Sequence, residues 1–232
     1  MKCALLALFS LIPLQLLAAE TGSFSRAATV IWISHRKLTI PSPDGSKAII
    51  VVPPKKGSTQ WKDSVFVRVK EREIKTGFGD LVNAEVRWSA DSKAFFLTYS
   101  DGGSIGTYHV EVVYVNDDSL HEIEPVPDGR VLSAPRCFDK ESPNVGAIKW
   151  ANRDSFRLLI AVEVPPHSSC ASMGTFEAFE ITIPQGQVKL RYGQLETKRL
   201  FHDDLGLELR NANDGCVRDP ASCVPPGLDD SP

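Results

Sequence analysis

Gly102-Gly103-Ser104-Ile105-Gly106 is the stretch of this chain most suggestive of chemistry, since G-x-S-x-G surrounds the nucleophile of many hydrolases. The motif works when a strand turns sharply into a helix, which exposes the serine hydroxyl to a histidine and the neighbouring amide to an oxyanion. Here the strand-like run Phe95 to Tyr99 precedes it and a second strand-like run, Tyr108 to Val115, follows. That context reads as a Gly-rich hairpin loop after Ser100-Asp101. A Ser-His-Asp set assembled from distant residues would draw on His109 or His167, and no spacing selects either. His202-Asp203-Asp204 is the most metal-like cluster, yet adjacent residues seldom point at one ion, and His35, His121 and the other histidines show no paired spacing. Asn213-Asp214-Gly215 has the punctuation of a calcium loop without its repeated acids or closing glutamate. Asp117-Asp118 and Asp229-Asp230 fall in turn or tail sequence, which does not hold two carboxylates at a working separation. Phosphate-binding and dinucleotide fingerprints do not occur. No catalytic, cofactor or metal residue is assigned, and no cofactor is expected.

A weaker candidate is a binding loop. Pro53-Pro54-Lys55-Lys56-Gly57-Ser58-Thr59-Gln60-Trp61-Lys62 combines the cations Lys55, Lys56 and Lys62 with the aromatic Trp61. Such a loop suits an anionic glycan, a lipid headgroup or a protein partner. The competing reading, an ordinary loop whose lysines keep it solvated, is preferred because the basic run is short.

Stepping outward from these residues, the chain begins with a sorting signature. Lys2 supplies a positive start, Ala4 to Leu17 is an apolar run broken by Ser10, Pro13 and Gln15, and Ala18-Ala19 precede Glu20. Residues 1–19 read as a cleaved secretory signal, too short and too interrupted for a comfortable membrane span. Its removal takes the formal charge from −3 to −4, through loss of Lys2. A mildly acidic chain has no global pull toward nucleic acid. No later apolar run approaches membrane-spanning length. Cys137, Cys170, Cys216 and Cys223 remain, an even number that suits disulfides in an exported protein. Free thiols or metal ligands compete with that reading, although no C-x-x-C pair is present.

Three segments of the chain read alike: Ser42-Pro43-Asp44-Gly45-Ser46-Lys47, Arg87-Trp88-Ser89-Ala90-Asp91-Ser92-Lys93 and Lys149-Trp150-Ala151-Asn152-Arg153-Asp154-Ser155. Each places an Asp-centred turn between β-prone runs, where Asp and Ser bond nearby amides and Gly accepts positive φ. Period-two alternation follows each turn, over Val65 to Lys70, Tyr108 to Val115 and Phe176 to Ile183. Further turns lead to a last short strand in each unit, near Glu73, over Leu120 to Glu124, and over Gln187 to Tyr192. The fold class is therefore all-β, built of three four-stranded antiparallel meanders over about 29–76, 82–124 and 145–192. The turn aspartates lie 47 and 63 residues apart, and an insertion over 125–144 accounts for the longer interval. Trp88 and Trp150 hold matching places and read as packing residues. Residues 20–215 form a single repeat domain, with 193–215 as a capping segment that includes a short helix around 196–204. Residues 216–232 form a tail with a cysteine loop.

The Asp turns, with Trp88 and Trp150, resemble the W-S-P-D-G-K turn of WD40-like, TolB-type β-propeller repeats over about residues 29–192. The first unit departs by having Pro41 near the tryptophan position, and the third has Asn152-Arg153 where Pro would stand. The resemblance implies propeller blades. Propellers use four to eight blades, and three are found. An open or incomplete propeller would leave sheet edges to be paired or covered, by a fourth degenerate blade, by the termini or by a second copy. The meander places Cys137 and Cys170 on one rim of the third unit, which suggests the pairings Cys137–Cys170 and Cys216–Cys223.

The expected function is that of an exported, periplasmic or secreted, non-enzymatic scaffold that binds another protein or a second copy through its open edges. A secreted hydrolase or lyase acting on peptides or glycans is the alternative from another class. A structural accessory subunit is a third. A binding role is preferred to an enzymatic one because a repeat scaffold gathers loops on its rims while no catalytic constellation stands out.

Overall fold

The computed structural model describes residues 21–32, 37–55, 63–78, 83–100, 107–125, 142–165 and 173–218. The architecture is all-β, with three antiparallel sheets and a short helical segment at the C-terminal side. Sheet one runs β2 (Leu38–Pro41), β3 (Lys47–Val52), β4 (Ser64–Val69), β5 (Arg72–Lys75). The middle sheet contains β6 (Asn83–Trp88), β7 (Ala94–Ser100), β8 (Tyr108–Val115) and β9 (Leu120–Ile123), with β1 (Thr29–Trp32) added beside β6. Sheet three is β10 (Asn144–Trp150), β11 (Arg157–Glu163), β12 (Phe176–Thr182), β13 (Val188–Gly193). In each, the four consecutive strands β2–β5, β6–β9 or β10–β13 lie side by side in chain order, as in a meander. The first strand of the first unit is thus Leu38–Pro41. Thr29–Trp32, the stretch with which that unit was expected to begin, pairs antiparallel with β6 of the next sheet, Thr29 opposite Val86 and Trp32 opposite Asn83.

Packing follows from the apolar pattern of the second strands. β3, β7 and β11 are buried on both faces, as their nearly unbroken runs Ala48 to Val51, Ala94 to Leu97 and Leu158 to Val162 require. The outer strands β5, β9 and β13 are mostly polar and exposed. Sheet one meets the middle sheet through Ile49, Val51, Val67, Val86, Trp88, Leu97 and Val113. The other face of the middle sheet meets sheet three through Phe96, Val110, Val112, Trp150, Leu158, Ile160 and Phe179. The far face of sheet three carries Ile148, Leu159, Ala161, Phe176 and Ala178. There it is covered by Phe201 of α1 (Gln194–Phe201), Leu209 of α2 (Leu207–Asn211) and Leu205 between them, and by Phe24 from the N-terminal side, while α3 (Asp214–Arg218) packs against α1.

Helix α1 starts after Gly193, places Glu196 in its first turn and Lys198 and Arg199 in its last, and so suits the helix dipole at both ends. Lys198 then ties it to α3 by donating to the carboxylate of Asp214 at 2.6 Å and to the carbonyl of Ala212 at 2.7 Å. Gln194, fully enclosed, accepts from the Phe176 amide at 3.0 Å and donates to Asp214 at 2.8 Å.

The first two Asp turns share one internal geometry, and the three turns are linked to one another. Ser42 Oγ donates to Asp44 Oδ1 at 2.7 Å and accepts from the Lys47 amide at 3.0 Å. Ser89 Oγ does the same with Asp91 Oδ1 at 2.6 Å and the Ala94 amide at 3.1 Å. Gly45 in the first turn and Ser92 in the second have positive φ, 72° and 58°. The hydroxyl of Ser92 accepts from the Asp44 amide at 3.1 Å, and Ser155 donates to Asp91 at 3.3 Å, so each turn leans on the next. Amide and hydroxyl donors, first among them the Ser46 amide, hold the Asp44 carboxyl well below the usual carboxylate range. The tryptophans repeat one contact: Trp88 Nε1 donates to the Ile40 carbonyl of β2, and Trp150 Nε1 to the Arg87 carbonyl of β6, both at 3.2 Å. Ile40 and Arg87 are the penultimate residues of the first strands of two successive meanders, so one geometry joins sheet one to the middle sheet and the middle sheet to sheet three.

Candidate functional site

The densest arrangement of buried ionisable groups lies where an N-terminal strap crosses from the middle sheet to the C-terminal helices. β6 alternates, with Ala84, Val86 and Trp88 facing sheet one and Asn83, Glu85 and Arg87 facing the other way. Glu85 is 2% exposed. Its carboxylate accepts three successive backbone amides, from Ser23 at 2.6 Å, Phe24 at 3.0 Å and Ser25 at 2.8 Å. A β-carbon at Gly22 would lie 2.5 Å from the Glu85 carboxyl, so only glycine lets the strap approach this closely. The strap continues into the C-terminal segment, where Gly206 donates to the Phe24 carbonyl and Leu207 to the Gly22 carbonyl, both at 2.8 Å.

Two further carboxyls share this region. Glu163 ends β11, is 1% exposed and accepts from Asn144 Nδ2 at 3.1 Å. Asn144 in turn accepts from the Tyr108 amide at 3.2 Å, and Asn83 donates to the Tyr108 hydroxyl at 3.1 Å. Glu208 on α2 bears electrostatically on Glu85, Glu163 and Tyr108. Burial pushes Glu85 up to about 7 against the opposing pull of its three amides. Burial, then the Glu208 charge, push Glu163 up to about 8. The donors decide how the charge divides. Three amides make Glu85 the better anion, while Glu163, with one amide donor, is the better holder of a proton. Both carboxyls are sealed from solvent, so the arrangement orients backbone rather than attacking a dissolved substrate.

A second polar group sits on β7, β8 and β9. Tyr99 donates to Glu111 at 2.9 Å and lies tilted against His109 with ring centroids 5.9 Å apart, and Glu122 accepts from the Gly77 amide at 2.9 Å. Burial, and then the charges of Glu122 and Glu124, push the Glu111 carboxyl up.

Of the candidate residues singled out in the sequence that are described, His109 alone reaches either group. Ser104, Lys56, Trp61, Lys62, Cys137, Cys170, Cys223, His35 and His167 lie outside the described residues, and so do the two cysteine pairings. Lys55 is exposed beyond the end of β3, and Cys216 lies within α3. His202-Asp203-Asp204 disperses: Asp203 faces Arg26 at 3.5 Å, Asp204 accepts from Lys149 at 2.6 Å, and His202 touches only Asp203, at 3.4 Å, among the bonds described. Asp214 serves the helices, and Asp117 pairs with exposed Lys70 at 3.1 Å. Among the described residues no group of three or more His, Cys, Asp or Glu could hold a metal ion, and no helix is long and apolar enough to cross a membrane. The signal that does point to the buried site is a charge inside an apolar strand: Glu85 within Ala84 to Val86, and Glu163 closing the run Leu158 to Val162. Comparison with known proteins finds no match among family models, curated proteins or solved structures.

Proposed function

We propose that this chain is an exported binding scaffold, made of three propeller-like blades of the WD40-like, TolB type, that engages another protein through the end of its stack over which no described helix lies. The observation that carries this reading is the asymmetry between the two ends. The far face of sheet three lies under α1, α2 and the Phe24 strap. The far face of sheet one, by the alternation of its strands, carries half-buried Phe66 beside the buried Ala48 and Ile50, with exposed Thr39, Pro41, Glu73 and Lys75 around them and no described helix over it. A partly accessible aromatic, Phe66, within a polar, charged margin supports a protein-binding role for this face. The signal-like residues 1–19 support export, and the linked Asp turns and the repeated tryptophan contact support the blade reading.

The test places a photoreactive side chain at Thr39 and, separately, at exposed Leu200 on α1, and irradiates both proteins in envelope or culture-medium extract. A discrete adduct from Thr39 and none from Leu200 supports the reading. Equal labelling from both ends, or none from Thr39, rejects it. A second copy of the chain on the same face would appear as a self-adduct and as a dimer by light scattering at micromolar concentration.

A further inference from the structure

Charge is divided unevenly along the chain. Residues 37–75, which span sheet one, hold nine Lys and Arg against four Asp and Glu, while the rest of the chain holds seventeen against twenty-five. Part of the surplus is used inside the molecule: Lys47 Nζ donates to the Ser92 carbonyl at 3.0 Å, and Lys70 pairs with Asp117 at 3.1 Å. The strand registers place the remainder. On the far face of sheet one, Thr39, Ile50, Phe66 and Lys75 stand in one cross-strand row, with Arg68 and Glu73 in the next. Lys37 lies two residues before Thr39, and its charge bears on Glu73. Lys55 is exposed beyond Val52, at the end of the sheet where β2 begins and β5 ends.

We propose that the far face of sheet one takes an acidic segment of a partner polypeptide, which lays carboxylates over Lys37, Lys75 and Arg68 and an apolar side chain on Phe66. The assignment rests on the binding role proposed for this face and adds the chemistry of the partner. Lys37, Lys55 and Lys75 make no ion pair among the described residues. Arg68 donates to Glu73 at 2.8 Å, which holds its guanidinium on the strand face that Phe66 shares. β2 and β5 are the two edges of the sheet, so Lys37 and Lys75 flank Phe66 across about 14 Å. An extended chain covers that distance in about four residues. Two carboxylates four residues apart, with an apolar side chain midway on the same face, therefore match the lysines and Phe66 together.

Glu73 tells against an unbroken anionic surface. A membrane leaflet or a sulfated glycan would press negative charge onto this carboxylate, whereas a polypeptide can space its acids around it. A half-buried aromatic among the cations likewise suits a side chain better than a headgroup. The lysines are exposed, so their attraction acts over a distance, speeds encounter and weakens as salt rises. One exposed ion pair is worth up to about fivefold in binding. Reversing Lys37 and Lys75 turns two attractions into two repulsions, for an expected loss of at least about fourfold.

Two measurements on the full chain decide it. Fluorescence anisotropy follows a labelled peptide with Asp residues about four apart around a central Leu. Binding should weaken with added salt, and Lys37→Glu with Lys75→Glu should weaken it at least about fourfold. Lys189→Glu with Arg199→Glu changes the net charge equally at exposed sites on β13 and α1, and should change binding less than about twofold. Equal losses in the two double variants overturn the assignment, as does no binding up to millimolar peptide. Binding confined to phosphatidylglycerol vesicles or to heparin, with the peptide unbound, overturns it in favour of a headgroup or glycan. The second measurement irradiates the photoreactive Thr39 protein in extract with and without the two lysine reversals. An adduct reduced at least about fourfold by the reversals supports the acidic partner. An undiminished adduct leaves this face as the docking site and overturns the acidic partner alone, and no Thr39 adduct in either protein overturns both.

Discussion

Gly146→Ala gives the sharpest test of the strap's place in the fold. The glycine has no positive φ, so alanine suits its backbone, and the cost is purely one of space. Its new methyl would enter the ring of Phe24, which is 0% exposed and fixed by Tyr108 on one side and by the amide bonds to Glu85 on the other. Overpacking of this kind costs about 1–3 kcal/mol, and a ring so constrained argues for about 2–3 kcal/mol. Phe24→Ala alone should cost about 3–5 kcal/mol, the usual figure for emptying a buried phenylalanine site. In the double variant the methyl occupies space that the ring has left, and alanine stiffens the strand by about 0.5–1 kcal/mol relative to glycine. The Gly146→Ala step should then become neutral or mildly stabilising, which gives a coupling of about 2 kcal/mol or more. Urea unfolding of the four proteins measures it, provided the slopes agree. Additivity within about 0.5 kcal/mol would refute the direct contact, and with it the claim that the strap is seated on β10.

Trp150→Phe removes the donor that ties sheet three to the Arg87 carbonyl, and Trp88→Phe its counterpart to Ile40. The two should cost similar amounts, about 1–3 kcal/mol each for a carbonyl left without its buried donor plus lost packing, as read from chemical denaturation. Gln194→Ala strips the Phe176 amide and Asp214 of a shared buried partner. It should cost about 1–3 kcal/mol and raise exchange at the Phe176 amide and in α1 before the middle sheet is affected. Asp91→Ala breaks both its own turn and the bond from Ser155, while Asp91→Asn keeps an acceptor. The alanine variant should be the less stable by about 1 kcal/mol in the same denaturation assay.

The meanders were legible because β3, β7 and β11 carry nearly continuous apolar runs and because the Asp turns between strands use residues with a definite backbone preference. Trp88 and Trp150 showed their packing role through matching positions, although the acceptors Ile40 and Arg87 are visible only in three dimensions. Thr29–Trp32 misled because a four-residue β-prone segment carries no mark of its partner. Pairing with β6 is a choice made across 51 residues, from Trp32 to Asn83, that local sequence cannot express. The strap was hidden for a related reason. Gly22 to Ser25 has no periodicity, and its importance comes from the amides that Glu85 collects. Glu85 and Glu163 could have been suspected as charges set in apolar strands, whereas the more noticeable His202-Asp203-Asp204 sends its side chains to Arg26 and Lys149 in different directions.

The pairing of β1 with β6 makes the whole of sheet one an excursion between two adjacent strands of another sheet. The chain leaves the middle sheet at Trp32 and returns at Asn83, directly opposite. A tight turn joining those two residues would close β1 and β6 into an ordinary hairpin, with both chain ends undisturbed. The same point can in principle host a different sheet, or several in series. The β1–β6 pairing therefore marks a place where a whole sheet can be inserted or removed while the pairing itself is kept.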